Sequence, residues 1–220
     1  MSAPRPSATV LVIRDGDDGI EVLLGRRPAA HAFGGAWVFP GGTLDPEDHD
    51  VDLTGIERED GPWRAAALRE VAEEVGIFLT DPEHRVDRPL EGAAVFESAR
   101  AAGARFLPAR LAYLSNWVTP VGIAKRFDTR FYLAVVSPDT AIGPISPELE
   151  VVEWVVPATA LTRHRAGEIE LIMPTIAHLE LLRGFPTAEA ADRHARSQAV
   201  VEQVQPRLVR RDGVIEVELS

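Results

Sequence analysis

Residues 63–79 constrain the fold more than any other stretch of this 220-residue chain. Ala67, Leu68, Val71, Val75, Phe78 and Leu79 recur at spacings of three and four, which predicts a helix with one apolar side. Pro62 suits its first turn, where a missing N–H costs little. Gly76 can take the left-handed conformation of a C-terminal cap. Glu70, Glu73 and Glu74 share a face, because positions three and four apart are neighbours. Leu68, Val71, Ala72 and Val75 lie opposite and must be buried against something, most simply a sheet.

The rest of the chain supplies that sheet. Thr9–Ile13 and Ile20–Leu24 are β-branched apolar runs around Arg14-Asp-Gly-Asp-Asp-Gly19, which predicts a hairpin with a loop longer than the tight types. Residues 26–35 have no period and read as a loop. Ala36–Phe39 reads as a strand that Pro40-Gly-Gly42 ends, and the acidic stretch 43–61 as an exposed connection. A short helix is expected over 92–103, and strands over 111–118, 131–136 and 150–156. Helices are expected over 157–164, 174–184 and 187–204, with a tail hairpin turning at Asp212-Gly213. No repeat or flexible linker divides the chain. Strands and helices in this order predict one α/β domain over 1–220, with a core at about 7–165 and a helical extension, 166–220, packed on it.

Three carboxylates on one helix face repel, at roughly 0.2–0.5 kcal/mol per exposed pair. Arg69, four residues before Glu73, offsets part of this. A divalent cation would offset more, since carboxylate oxygens suit hard ions such as Mg²⁺ or Mn²⁺ that also bridge to phosphates. Acidic helix faces are common and most are simply solvated, so spacing alone does not make a metal site.

Composition removes whole classes of chemistry. There is no cysteine, so thiol catalysis, disulfides and zinc–cysteine sites are excluded. With 23 basic and 34 acidic residues the net charge is −11, which disfavours a nucleic-acid partner. No run approaches the roughly 18 apolar residues of a membrane span, and Met1–Pro6 does not read as a secretory signal. A cytoplasmic protein acting on a small molecule is expected. The six histidines are scattered without ligand spacing.

Arg69-Glu-Val-Ala-Glu-Glu-Val-Gly-Ile77 and the upstream Pro40-Gly-Gly42 together resemble the signature of the Nudix hydrolase family. That signature runs glycine, five residues, glutamate, seven residues, then Arg-Glu-apolar-any-Glu-Glu-any-Gly-apolar. Its second half matches Arg69–Ile77 at every fixed position, and its first half matches Gly41 and Glu47. The chain departs from it in one place: 21 residues (48–68), not seven, separate Glu47 from Arg69, as a 14-residue insertion would produce. Asp45 and Asp48 therefore rival Glu47 for its role.

The resemblance implies an α/β/α sandwich with a mixed β-sheet, here with extra C-terminal helices. It implies hydrolysis of a nucleoside diphosphate linked to a second group, with Mg²⁺ or Mn²⁺ as cofactor. Glu70, Glu73 and Glu74, with Glu47, would be metal ligands. Glu70 could instead activate water, and Arg69 would orient the glutamates. Gly25-Arg-Arg-Pro28 through Gly42, the insertion, and 117–130 look like the branch related to coenzyme A and acyl-CoA diphosphatases. Coenzyme A derivatives and ADP-ribose-like compounds are candidate substrates, and a catalytically silent nucleotide sensor is the alternative. Gly41, Gly42, Arg26, Arg27, Arg126 and Arg130 are candidates to contact the phosphates. Glu148, Glu150 and Glu153 are candidates for a further acidic ligand or base. A homodimer is expected of such a protein.

Overall fold

A computed structural model describes residues 3–30, 34–51, 53, 59–211 and 214–218. Strand β1 (Arg5–Gly16) is buried along most of its length, since it is paired on both edges and covered on both faces. Side chains alternate along a strand, so Val10 and Val12 enter one core while Leu11 and Ile13 enter the other. β2 (Gly19–Arg26) returns antiparallel. The connecting loop is Asp17-Asp18 alone, so the expected longer loop gives way to a tight turn, with Gly19 at φ 116°. The glycines at 16 and 19 allow the strands to run to the turn itself.

β3 (Ala36–Val38) is followed after Pro40 by β4 (Gly41–Thr43), where the sequence predicts only a turn. β4 pairs with the first half of β1, so the proline interrupts the pairing rather than ending it. The connection beyond is not simply exposed. It contains a 3-10 turn, Pro46–His49, and buries Asp48 and Leu53. Residues 52 and 54–58 of that connection lie outside the described residues, as do His31, Ala32 and Phe33 of the loop before β3.

α1 (Gly61–Val75) ends at Gly76, φ 63°, and the apolar residues Ile77–Leu79 that extend the helical period run on as buried non-helical chain. The cap overrides the period because the left-handed residue turns the backbone away. β5 (Thr80–Asp81), α2 (Ala93–Ala101) and β6 (Arg105–Phe106) follow, with β5 and β6 paired. The chain then re-enters the sheet as β7 (Ala112–Val118), β8 (Phe127–Val135) and β9 (Val151–Val155). The remainder is α3 (Pro157–Arg165), β10 (Glu170–Leu171), α4 (Met173–Leu182), α5 (Ala188–Ser197), β11 (Gln203–Val204), β12 (Arg207–Arg211) and β13 (Val214–Glu218). The helix expected to reach 204 stops at Ser197, and β11 pairs with β7 instead. β12 and β13 form the tail hairpin; its expected turn, Asp212-Gly213, lies outside the described residues.

The large sheet has the order β10-β3-β2-β1-β8-β7-β11, with β4 beside β1 and β9 beside β2. It is mixed: β1 and β8 run parallel, β1 and β2 antiparallel. α1 covers one face, packing Leu68, Val71 and Val75 against Val10, Val12, Leu23 and Tyr132. α3, α4 and α5 cover the other, where Leu161, Leu179, Leu182 and Ala191 meet Leu11, Ile13 and Leu133. This is the expected α/β/α sandwich. Among the described residues no helix is long and apolar enough to cross a membrane.

Candidate active site on the acidic helix

β4 runs directly beneath α1, and crowding rather than turn geometry requires its glycines. A Cβ on Gly41 would stand 2.5 Å from the carbonyl oxygen of Ala8, and one on Gly42 would stand 2.3 Å from Glu70 Oε1. The Gly41 N–H donates to Glu74 Oε2 at 2.9 Å. The sheet backbone therefore holds one carboxylate and touches a second.

Arg69 is buried, and it is the hub of the site. All five of its N–H donors are used. Nε and Nη2 grip Asp48 at 2.9 and 2.8 Å, Nη2 also reaches the Thr43 carbonyl at 3.0 Å, and Nη1 donates to Glu70 at 2.8 Å and Glu73 at 3.0 Å. Burial alone would weaken its protonation. The bonds to Asp48 and the charges of Glu70, Asp48 and Glu73 push its pKa further up instead. The i, i+4 spacing gives the Glu73 contact in sequence. Nothing local in the sequence gives Asp48, 21 residues away.

Glu47 stands elsewhere. Its carboxylate lies against Gly92, where a Cβ would come within 2.6 Å of Glu47 Oε1. The Gly92 N–H donates to Glu73 Oε1. Glu47 and Glu73 thus each adjoin Gly92, at the start of α2, while Asp48 takes the buried position on Arg69.

Glu74 is buried, with Oε2 on the Gly41 amide and Oε1 without a hydrogen-bond partner. Arg27 Nη2 approaches Oε1 to 3.5 Å and donates to the Gly41 carbonyl at 3.1 Å. Arg27 Nη1 lies 3.7 Å from Glu148. Of the three further acidic candidates only Glu148 joins this group. Glu150 pairs with Arg26 at 2.9 Å, and Glu153 pairs with Arg163. Arg126 donates to the Thr119 carbonyl. Arg130 bonds Asp60 at 2.7 Å and lies over Trp63, 4.0 Å from the ring centroid. Asp60 precedes α1, ten residues and so about 15 Å along the axis from Glu70. The structure brings Arg27, Gly41, Gly42, Arg69, Glu70, Glu73 and Glu74 together. It pairs Arg26, Arg126 and Arg130 with other partners, Glu150, the Thr119 carbonyl and Asp60.

Burial dominates the electrostatics. It raises the Glu74 carboxyl to about 7, against the pull of Arg27 and the Gly41 amide. Burial and then the charge of Glu74 push Glu70 well above the usual carboxylate range. Glu73 is raised by burial too, though Arg69 and the Gly92 amide oppose it. Among the described residues no three acidic or histidine side chains yet enclose one point, because Arg69 Nη1 stands between Glu70 and Glu73 while Glu74 turns to Gly41. The donors nevertheless suit a hard dication. They are carboxylates that repel one another in a dry setting, and one buried oxygen, Glu74 Oε1, accepts no hydrogen bond.

A family model described as NUDIX domain matches residues 3–173. Acyl-coenzyme A diphosphatase NUDT19 of Homo sapiens is 30% identical over 176 residues, which are 68% of this chain and 46% of that protein. The chain spans about half the length of the curated relatives it matches. The crystal structure of a NUDIX hydrolase from Alicyclobacillus acidocaldarius superposes with a TM-score of 0.75 at 33% identity, covering 88% of this chain and 97% of that one. The NUDIX domain of Shewanella oneidensis NrtR, crystallised with ADP ribose, gives a TM-score of 0.50 at 19% identity over 84% of this chain and 89% of that one, a likeness of fold alone.

Proposed function

We propose, from the premise that the chain belongs to the NUDIX domain family, that it is a divalent-metal-dependent hydrolase that cleaves the diphosphate bond of a nucleoside diphosphate joined to a second group. The observation that carries this reading is the buried, mutually repelling Glu70–Glu74 pair, whose Glu74 Oε1 accepts no hydrogen bond, with Glu70 tied to Glu73 by one saturated guanidinium and Glu74 to the Gly41 amide. Glu73 and Glu74 would hold Mg²⁺ or Mn²⁺. Such an ion, when bound, neutralises phosphate oxygens and lowers the pKa of water.

The chain's own groups do the rest. Arg69 fixes Glu70 and Glu73 relative to each other and to β4 through Thr43. The Gly41 amide fixes Glu74, and Gly42 leaves room for Glu70. Both oxygens of Glu73 are engaged, by Gly92 and by Arg69. Glu70 uses only Oε1, so its second oxygen is the one we assign to take a proton from the attacking water. Glu148 is the acidic residue from outside the helix, and Arg27 is shared between it and Glu74. As a phosphate approaches, Arg27 is the cation within reach to turn toward it. Coenzyme A derivatives head the candidate substrates, because the human relative's name says that protein is an acyl-coenzyme A diphosphatase.

The test is nucleotide or phosphate release from a panel of coenzyme A derivatives, ADP-ribose and dinucleoside polyphosphates, with and without Mg²⁺, for the native protein and Glu74→Gln. Turnover that needs metal and falls roughly 100-fold or more in the variant is expected. Metal-independent binding of a nucleotide without turnover would overturn the proposal in favour of a sensor.

A further inference from the structure

Glu148 does not belong to α1, and an exposed side chain on a connecting segment is an unpromising member of a geometrically demanding site. The segment that carries it is unusually well fixed. An α-helix ends with carbonyls that lack helical partners. Here the strap from Gly143 to Leu149 supplies two donors to them. Gly143 N–H bonds the Val75 carbonyl at 2.9 Å, and Ser146 N–H bonds the Glu74 carbonyl at 3.2 Å. Gly143 also crosses Gly76 back to back. A Cβ on Gly76 would fall 2.7 Å from Gly143 Cα, and a Cβ on Gly143 would fall 2.6 Å from the Gly76 carbonyl oxygen. Both obstacles are backbone, which cannot swing aside as a side chain would.

Beyond the crossing, Ser146 is buried and makes a tight turn. Its Oγ accepts from the Glu148 N–H at 3.1 Å and its carbonyl accepts from the Leu149 N–H at 3.1 Å. Leu149 enters the core against Gly25, where a Cβ would meet its Cδ1 at 2.5 Å. Glu150 N–H then bonds the Arg26 carbonyl at 2.9 Å and β9 begins. The strap is therefore fastened to α1 before Glu148 and to β2 after it. Glu148, between those fastenings, is the residue that faces Arg27.

We propose that the Gly143–Leu149 strap is a positioning device registered on the C-terminus of α1, and that Gly143 and Ser146 govern catalysis by holding Glu148 opposite Arg27. The consequence for the site is a division of one cation: Arg27 stands 3.5 Å from Glu74 and 3.7 Å from Glu148, so the placing of Glu148 sets how fully Arg27 occupies Glu74. Gly143 and Ser146 are positioning residues. The proposal rests on the metal-dependent reading of the site and on Glu148 belonging to it.

The experiment is a pair of double-mutant cycles, Gly143→Ala with Glu148→Gln and Ser146→Ala with Glu148→Gln. Each protein is read for kcat and KM on the best substrate of the panel, for Mn²⁺ affinity of the substrate-free protein by electron paramagnetic resonance, and for Tm. Gly143→Ala is expected to lower kcat about 10-fold or more and to shift Mn²⁺ affinity with KM little changed, as loss of an orienting contact does. In the Glu148→Gln background the same substitution is expected to add nothing further. Losses that multiply in the double variant, or a Glu148→Gln protein with native kcat and Mn²⁺ affinity, would overturn the proposal. If Gly143→Ala does not fold, the Ser146→Ala cycle decides on the same criteria. Should the native protein turn over nothing, the functional reading fails, and the Mn²⁺ cycle still decides whether the strap acts through Glu148.

Discussion

Asp48→Ala removes two of the five hydrogen bonds of the Arg69 guanidinium, at 2.9 and 2.8 Å, and the acceptor of the Asp45 amide at 2.8 Å. Both side chains of the ion pair are buried. Breaking a buried pair by deleting one partner costs about 3–5 kcal/mol, because the remaining charge stays desolvated. Arg69 retains the Thr43 carbonyl, Glu70 and Glu73, which places the expected loss at about 3 kcal/mol. In a domain of this size 1 kcal/mol moves Tm by about 2–4 °C, so a fall of about 6–12 °C is expected. Thermal unfolding followed by circular dichroism at neutral pH, in chelator and then in Mg²⁺, measures it. The variant should also need more Mg²⁺ for half-maximal turnover, since Arg69 no longer anchors Glu70 and Glu73 to the inserted segment. A Tm within about 2 °C of native would refute the argument, showing that Arg69 is held by α1 and β4 without Asp48.

Two buried groups should oppose each other as pH changes. Glu74, raised to about 7 from 4.5, contributes stability that is complete below 4.5 and lost as pH rises through 7; His178, lowered by burial to about 4 from 6.5, contributes stability that is complete above 6.5 and lost as pH falls through 4. Each amounts to about 3 kcal/mol, and Glu70 and Glu73 are raised in the same sense as Glu74, so urea midpoints of the metal-free native protein should rise as pH falls from 7 toward 4.5, Glu74→Gln should lessen that rise, and His178→Phe should steepen it. Parallel curves for all three would be the contrary result, and Mg²⁺ stabilisation should be larger above pH 7 than below it because binding must displace the Glu74 proton. Gly42→Ala should keep the fold yet lose roughly 10–100-fold in kcat, as its Cβ would press on Glu70 Oε1; native kcat with native Tm would mean that Glu70 has slack.

The helix, its cap and its three glutamates are legible in the sequence because they are local: period, a glycine and a nine-residue run define them. The same run does not reveal that Arg69, Glu70 and Glu74 are buried, since α2 and the inserted segment that cover the polar side come from elsewhere in the chain. Glu47 and Asp48 differ by one position, and only the fold decides which of them turns inward onto Arg69. Gly41 and Gly42 look like turn residues and are in fact strand residues, required by what lies above them. Glu148 is indistinguishable from Glu150 and Glu153 until β9 and the strap set their directions. What is missed is in each case a contact between residues distant in sequence.

The inserted segment is tied at both ends, by ion pairs and a tyrosine hydrogen bond, to rigid elements. Asp48 is fastened to Arg69, and Asp60 to Arg64, Arg130 and Tyr132. The two carboxylates thus act as anchors for α1 at separate points, Asp48 at the glutamates and Asp60 about ten residues earlier at the helix start.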